Sequence, residues 1–399
     1  MKTLRQLPKS PRLQQFKDEA KELLKTGSAT NIRAAQAEIA RQYGFAAWRT
    51  LKEYVDLAEE IAQLKRAIDS DDLNGVKEVM SRWPALHQAP IGYGRNGPLT
   101  WAAECRIPWG PPSTARLEMV EWMIQNGSNV HQGGDAPLMR AALVAHRIPM
   151  MELLVSCGAD VNGVYGGYFP VILAPAETLE PASLRWLLDH GANLNCAQPG
   201  PYPNTALDHA LSTYSRTHQL GACIDVLLAA GGSTRYHIPA VLDLLRGRLD
   251  CLAEQLDADP ALLQKQFPEL DIGVTGTRLL TLKGATLLHV AAEYGIVEAA
   301  RLLLDRGADV NARADMDANG IGGQTPLFHA VTQFSDWGLP VARLLLDRGA
   351  DLKVRVKIPG HYSRPGEVVE CTPLGYAQLF PGGNNSNGCI ALLQERGGL

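Results

Sequence analysis

ATLLHVAAEYGIVEAARLLLDRGADVNAR, residues 285–313, is the stretch from which the rest of the chain can be read. Thr286 places a hydroxyl where the first free N–H groups of a helix need an acceptor. Ala291 and Ala292 are small, so that helix can pack closely on a neighbour. The run Leu302–Leu304 reads as the buried stripe of a second helix. Gly307 then takes the left-handed conformation that ends a helix, and Asp309 and Asn311 open a turn. One such unit cannot bury its own apolar face, so copies of it must stack.

Copies are present on both sides. The ending recurs as CGADVNG (157–163), HGANLNC (190–196) and RGADLKV (348–354), with weaker forms NGSNVHQ (126–132) and GGSTRY (231–236). The start recurs as APLMRAA (136–142), TALDHAL (205–211), TPLFHAV (325–331) and TPLGYAQ (372–378). The ending glycines Gly127, Gly158 and Gly191 stand at steps of about 31 and 33 residues, close to a period of 33. This pattern resembles the ankyrin repeat, T-P-L-H-x-A-A followed by L-L-L-x-x-G-A-D-V-N. The resemblance implies an all-α solenoid of stacked helix–turn–helix units with hairpin loops, about nine of them over residues 60–399. It also implies that His289 bonds to the backbone of adjoining hairpins.

Two units depart from the pattern and match each other, LNGVKEVMSRWPALHQ (73–88) and LDCLAEQLDADPALLQ (249–264). Each replaces the Gly-Ala-Asp ending with Pro-Ala-Leu and precedes a longer insertion. One reading is an array of two arms, 60–236 and 237–399, split near 237–283; the other is one continuous stack. Residues 1–59 differ again. LQQFKDEAKELLK and AAQAEIARQYGFAAWRTLKEYVD have helical spacing, the second with a stripe of Ile39, Tyr43, Trp48, Leu51 and Val55 interrupted at Gly44. The core Ile39-Ala40-Arg41, Tyr43-Gly44-Phe45, Trp48 and Leu51-Lys52 resembles a short helical segment found ahead of ankyrin repeats in bacterial proteins. That implies a bacterial origin, and a helical cap is the expected role.

Composition sets the class. Lys+Arg is 38 against Asp+Glu 42, a net charge of −4, which argues against broad nucleic-acid binding. The N-terminus has no apolar h-region and no apolar run is long enough for a membrane helix. The seven cysteines form no C-x-x-C pair, so reduced thiols in the cytoplasm are expected. Neither a metal nor a cofactor is expected. His289 and Glu293 stand at a metal-ligand spacing, but His289 belongs to the repeat signature.

By the resemblance, the groove should carry Trp101, Glu104, Arg140, His209, Tyr294, His329 and Tyr376, with Trp337 on a long loop. Trp, Tyr and Arg are anchor types at interfaces, so the leading expectation is a protein partner. Several insertions pair an aromatic with Gly or Pro, among them RIPWGPPST (106–114), QFSDWGLP (333–340) and KIPGHYSRPGEVVE (357–370). Tyr93, Trp109, Tyr168, Tyr202, Trp337 and Tyr362 lie on such loops, which can close a groove into a pocket. The alternative is therefore a small-molecule binder or an enzyme. Its acid–base groups would come from Glu104, Arg140, His209, Glu293, His329 and Asp336, paired between adjacent repeats as Glu104 with Arg140, and Glu293 or Tyr294 with His329 or Asp336.

Overall fold

The computed structural model describes residues 5–8, 11–91, 96–196, 205–274, 278–361, 363–364, 366–380 and 387–397. Tyr93, Tyr202 and Tyr362 lie outside them. The chain divides into two compact units, residues 1–142 with 146–167, and residues 143–145 with 168–399.

Unit 1 opens with three helices, Leu13–Lys25, Ile32–Gln42 and Trp48–Asp56. They enclose a core of their own built on Phe16, Ile39, Tyr43, Phe45 and Leu51. The interruption expected at Gly44 falls between the second and third of these helices. Gly44, at φ +68°, makes the left-handed step between them. Trp48 and Val55 pack only partly buried against this core. Three helix pairs follow: Ala58–Asp69 with Leu73–Arg82, Pro98–Ala103 with Thr114–Gln125, and Ala136–Ala142 with Ile148–Ser156. First helices lie on first helices and second on second. Arg116 fastens the first two pairs: it bonds Asp71 Oδ1 (2.6 Å) and the carbonyls of Ile68 (2.5 Å), Ala102 (3.2 Å) and Ile107 (2.9 Å).

Unit 2 holds six further pairs. They begin with Leu173–Thr178 and Pro181–Asp189, then Ala206–Ser212 and Leu220–Ala229, then Pro239–Leu245 and Leu249–Ala258. The last three are Leu287–Glu293 with Val297–Asp305, Pro326–Ala330 with Leu339–Asp347, and Pro373–Gln378 with Asn387–Glu395. An antiparallel hairpin, Val356–Pro359 with Val368–Cys371, projects between the last two pairs, with Val356 opposite Cys371. The stretch 237–283 lies within this unit. No helix among the described residues is long and apolar enough to cross a membrane.

The starts and stops follow the sequence chemistry. Thr205 and Thr372 accept the N–H groups of Asp208 and Gly375 (both 3.2 Å). Gly158, Gly191, Gly307 and Gly349 end second helices with φ between +86° and +98°. His289 takes Thr286 N–H on Nδ1 (3.1 Å) and its Nε2–H donates to the Gln324 carbonyl of the next hairpin (3.0 Å). Where the signature His is replaced by Asp208, its carboxylate binds the next hairpin instead, accepting from Thr234 Oγ1 (2.5 Å) and Arg235 N–H (3.0 Å).

Burial holds the His289 pKa down to about 3, helped by His329 and opposed by the bond to Gln324. The folded value lies below the ordinary 6.5, so the unfolded chain takes up the proton first. Stability is therefore unaffected above about pH 6.5 and falls as pH drops from there toward 3, by up to about 1.4 kcal/mol per pH unit. Urea unfolding at pH 7.5 and pH 5 should show a smaller acid loss in His289→Asn than in the parent. Equal losses in the two proteins would contradict this assignment.

Candidate functional site

In unit 2 the first helices of the last three pairs, Leu287–Glu293, Pro326–Ala330 and Pro373–Gln378, are covered. The insertion before Leu287–Glu293 folds back over them. Leu280 packs with Phe328, Val356, Ile358, Cys371 and Tyr376, and Arg278 bridges to His361 beyond the hairpin strand. Glu293 sits under this cover with no solvent exposure. Its Oε2 accepts from Arg278 Nη2 (2.5 Å) and His329 Nδ1 (2.7 Å), and its Oε1 from Arg216 Nη2 (2.6 Å). Burial alone would raise the Glu293 pKa; Arg278, His329 and Arg216 outweigh it and hold the carboxyl far below the usual range. Burial lowers the His329 pKa, opposed by its bond to Glu293. Facing a carboxylate, its Nδ1–H is the donor.

The expected pairing of Glu293 with His329 is thus present, but as a closed contact with no solvent exposure on either side chain. A substrate would have to displace Arg278 to meet either group. Asp336, expected beside them, is elsewhere: it accepts the N–H groups of Gly388 (2.8 Å) and Cys389 (3.0 Å) at the start of the last helix. Tyr294 is buried, its hydroxyl donating to the Leu211 carbonyl (2.5 Å) under the Arg216 guanidinium. Trp337 Nε1 donates to the Tyr294 carbonyl (2.9 Å). Tyr376 is fully buried between Phe328 and Phe380, with its hydroxyl on the Pro359 carbonyl (3.1 Å). As a surface anchor it is ruled out, because the hairpin and the folded-back insertion cover it; its truncation would register as lost stability. His209 stands apart, 3.6 Å from Glu177 and edge-on to Phe169.

Arg216 and Arg278 are absent from the sequence-derived set. Arg216 lies in the seven-residue connection 213–219 of its pair, which reaches across the Pro239–Leu245 pair to Glu293 and Tyr294. That intervening pair has a three-residue connection, Arg246–Arg248. The short turn leaves a cleft of about 360 Å³ bordered by His218, Trp337, Tyr294, Glu298 and Gly247. Gly247 is at φ +70°, and a Cβ there would meet nothing within 4 Å.

Unit 1 keeps its expected residues nearer the surface. Trp101 is half-buried, with Nε1 donating to Asp69 (2.8 Å) and the Lys65 ammonium 4.1 Å above its ring. Glu104 is buried and meets Arg140 at 3.8 Å, as the adjacent-repeat pairing anticipates, but it also binds Arg106 at 2.8 Å. The loop that follows carries Ile107, 49% exposed, and Trp109, 64% exposed.

A family model for ankyrin repeats matches residues 247–356 with three copies. A protein of Fowlpox virus (strain NVSL) described as an ankyrin repeat protein is 24% identical over 285 residues, which cover 67% of this chain and 44% of the viral one. The chain thus spans less than half the length of that curated relative. The crystal structure of the human ASB11 ankyrin repeat domain aligns at 25% identity with a TM-score of 0.32, covering 64% of this chain and 97% of that domain.

Proposed function

We propose that the whole chain is an ankyrin-repeat array, as its residues 247–356 match, and that it binds a protein partner, the general role of such repeats, through the loop face of unit 1. The observation that carries this reading is the exposure of Trp109 and Ile107 on a loop that Arg116 holds in place. A rigid aromatic next to arginines is the residue mix of interface hot spots. The first helices of the last three pairs of unit 2 favour no such role, since the insertion before Leu287–Glu293 covers them. The seven unpaired cysteines suit a reducing compartment, and a bacterial cytoplasm is the setting we assign.

Affinity capture from the source cell, read by mass spectrometry, tests this. Trp101→Ala and Trp109→Ala should each reduce recovery of the partner, Trp109→Ala by about tenfold or more, with unchanged thermal melting for Trp109→Ala. Full recovery with both variants would sink the assignment.

The cleft beside Trp337 and His218 favours a second reading, a small-molecule site, because its volume exceeds the roughly 300 Å³ from which such sites start. Native mass spectrometry should then find a retained small molecule that Thr217→Trp, filling the cleft, excludes. No retained species in the parent protein removes this reading.

A further inference from the structure

Three arginines and one glutamate meet behind the exposed loop of unit 1. Glu104 Oε1 accepts from Arg106 and faces Arg140. Glu104 is thereby engaged; among the described residues no carboxylate forms an ion pair with Arg147, and Glu104 acts on it only at longer range, against the lowering effect of burial. Arg147 is 1% exposed. Its Nη1 donates to the Arg140 carbonyl (3.1 Å), while Nε and Nη2 have no acceptor among the described residues. Those two N–H groups form the planar fork that grips a carboxylate with two parallel bonds. Leaving them unmatched inside a protein is unfavourable, so an acceptor supplied from outside gains the most here. The Trp109 ring covers this guanidinium, 4.7 Å from its carbon, and His146 meets the same ring edge-on at 5.5 Å. Burial and Arg147 both hold His146 toward its neutral form.

We propose that Arg147, with Arg106 beside it, receives one carboxylate from an acidic segment of the protein partner, Trp109 turning aside to admit it. Trp109 and Ile107 then take the apolar neighbours of that acidic residue. This rests on the protein-binding reading above and adds the chemistry of the partner. Trp109 can turn because most of its surface is already in water, while Arg116 keeps the loop backbone in place. A polynucleotide is the poorer match. The Nε and Nη2 fork of Arg147 matches one anionic group, and a chain of net charge −4 repels a polyanion at longer range.

Isothermal titration of the full chain with three probes tests this: a peptide alternating Glu with Leu, the same peptide with Gln for Glu, and inorganic phosphate. The Glu peptide should bind, the Gln peptide at least about tenfold more weakly, and phosphate should give no heat. Arg147→Gln should remove the preference for Glu. Should Arg147→Gln fail to fold, Arg106→Gln and Trp109→Ala decide, because both side chains are exposed; each should weaken the Glu peptide several-fold. No binding of the Glu peptide, binding of phosphate as tight as that of the peptide, or no effect of Arg106→Gln and Trp109→Ala would overturn the proposal. Equal binding of both peptides, lost in Trp109→Ala, would overturn the carboxylate assignment and leave the protein-binding surface standing.

Discussion

Glu293→Ala is expected to lower stability by about 3–5 kcal/mol, because it strands two arginines inside the protein. Arg278 and Arg216 both meet this carboxylate, and their side chains are 0% and 3% exposed. The lost volume is a minor part of the effect. Glu293→Gln separates the two contributions: it keeps the size and removes the charge, so it should be nearly as damaging. For a unit of this length the shift in Tm is on the order of 10 °C. A local consequence is sharper. Arg278 is wholly buried, so trypsin should spare the bond after it in the parent protein. In Glu293→Ala the insertion is no longer held, and cleavage after Arg278 should become the earliest cut in unit 2. A parental melting temperature together with parental resistance at Arg278 would show that the cluster does not hold the insertion down.

Leu303→Asp should be at least as severe. Leu303 is fully buried with Ala299 and Ala300 on the inner stripe of Val297–Asp305. The substitution removes a packed side chain, a loss of about 3–5 kcal/mol, and places a carboxylate with no partner in the same site. The sum reaches the 5–15 kcal/mol that ordinarily separates folded from unfolded chains. Loss of helical circular dichroism at room temperature is the expected result. Arg301→Gln, two residues away and exposed, should change stability by less than about 0.5 kcal/mol. Similar melting curves for Leu303→Asp and Arg301→Gln would mean that the stripe has been assigned to the wrong face.

The stacked units were legible because each repeat position has a local job. A threonine that caps, a glycine at positive φ and a leucine stripe act within a few residues, so their spacing alone marks the pairs. The bond of His289 to the next hairpin came from the family resemblance, not from the spacing. The candidate site was legible only in part. Glu293 and His329 were named because the family resemblance assigns both to groove-facing positions in adjacent repeats. Arg278 and Arg216 were not, since the loops that carry them have no repeat pattern and Arg216 meets Glu293 across 77 residues. Tyr376 shows the cost of that gap. By repeat position it faces a groove, but the hairpin and the folded-back insertion turn the groove into core. In unit 1 the aromatic insertion at 106–114 pointed to Trp109, while Arg147 has no signal beyond being one arginine in a short connection.

The central claim is that partners meet the loop face of unit 1 and not the covered first helices of unit 2. Site-specific photo-crosslinking tests it most directly, with a photoreactive amino acid in place of Trp109 and, in a second protein, in place of Met316, which is 61% exposed on the unit 2 insertions. Irradiation in the source cell should give a discrete crosslinked partner from position 109 and none from position 316. A partner captured from 316 and not from 109 would contradict the account.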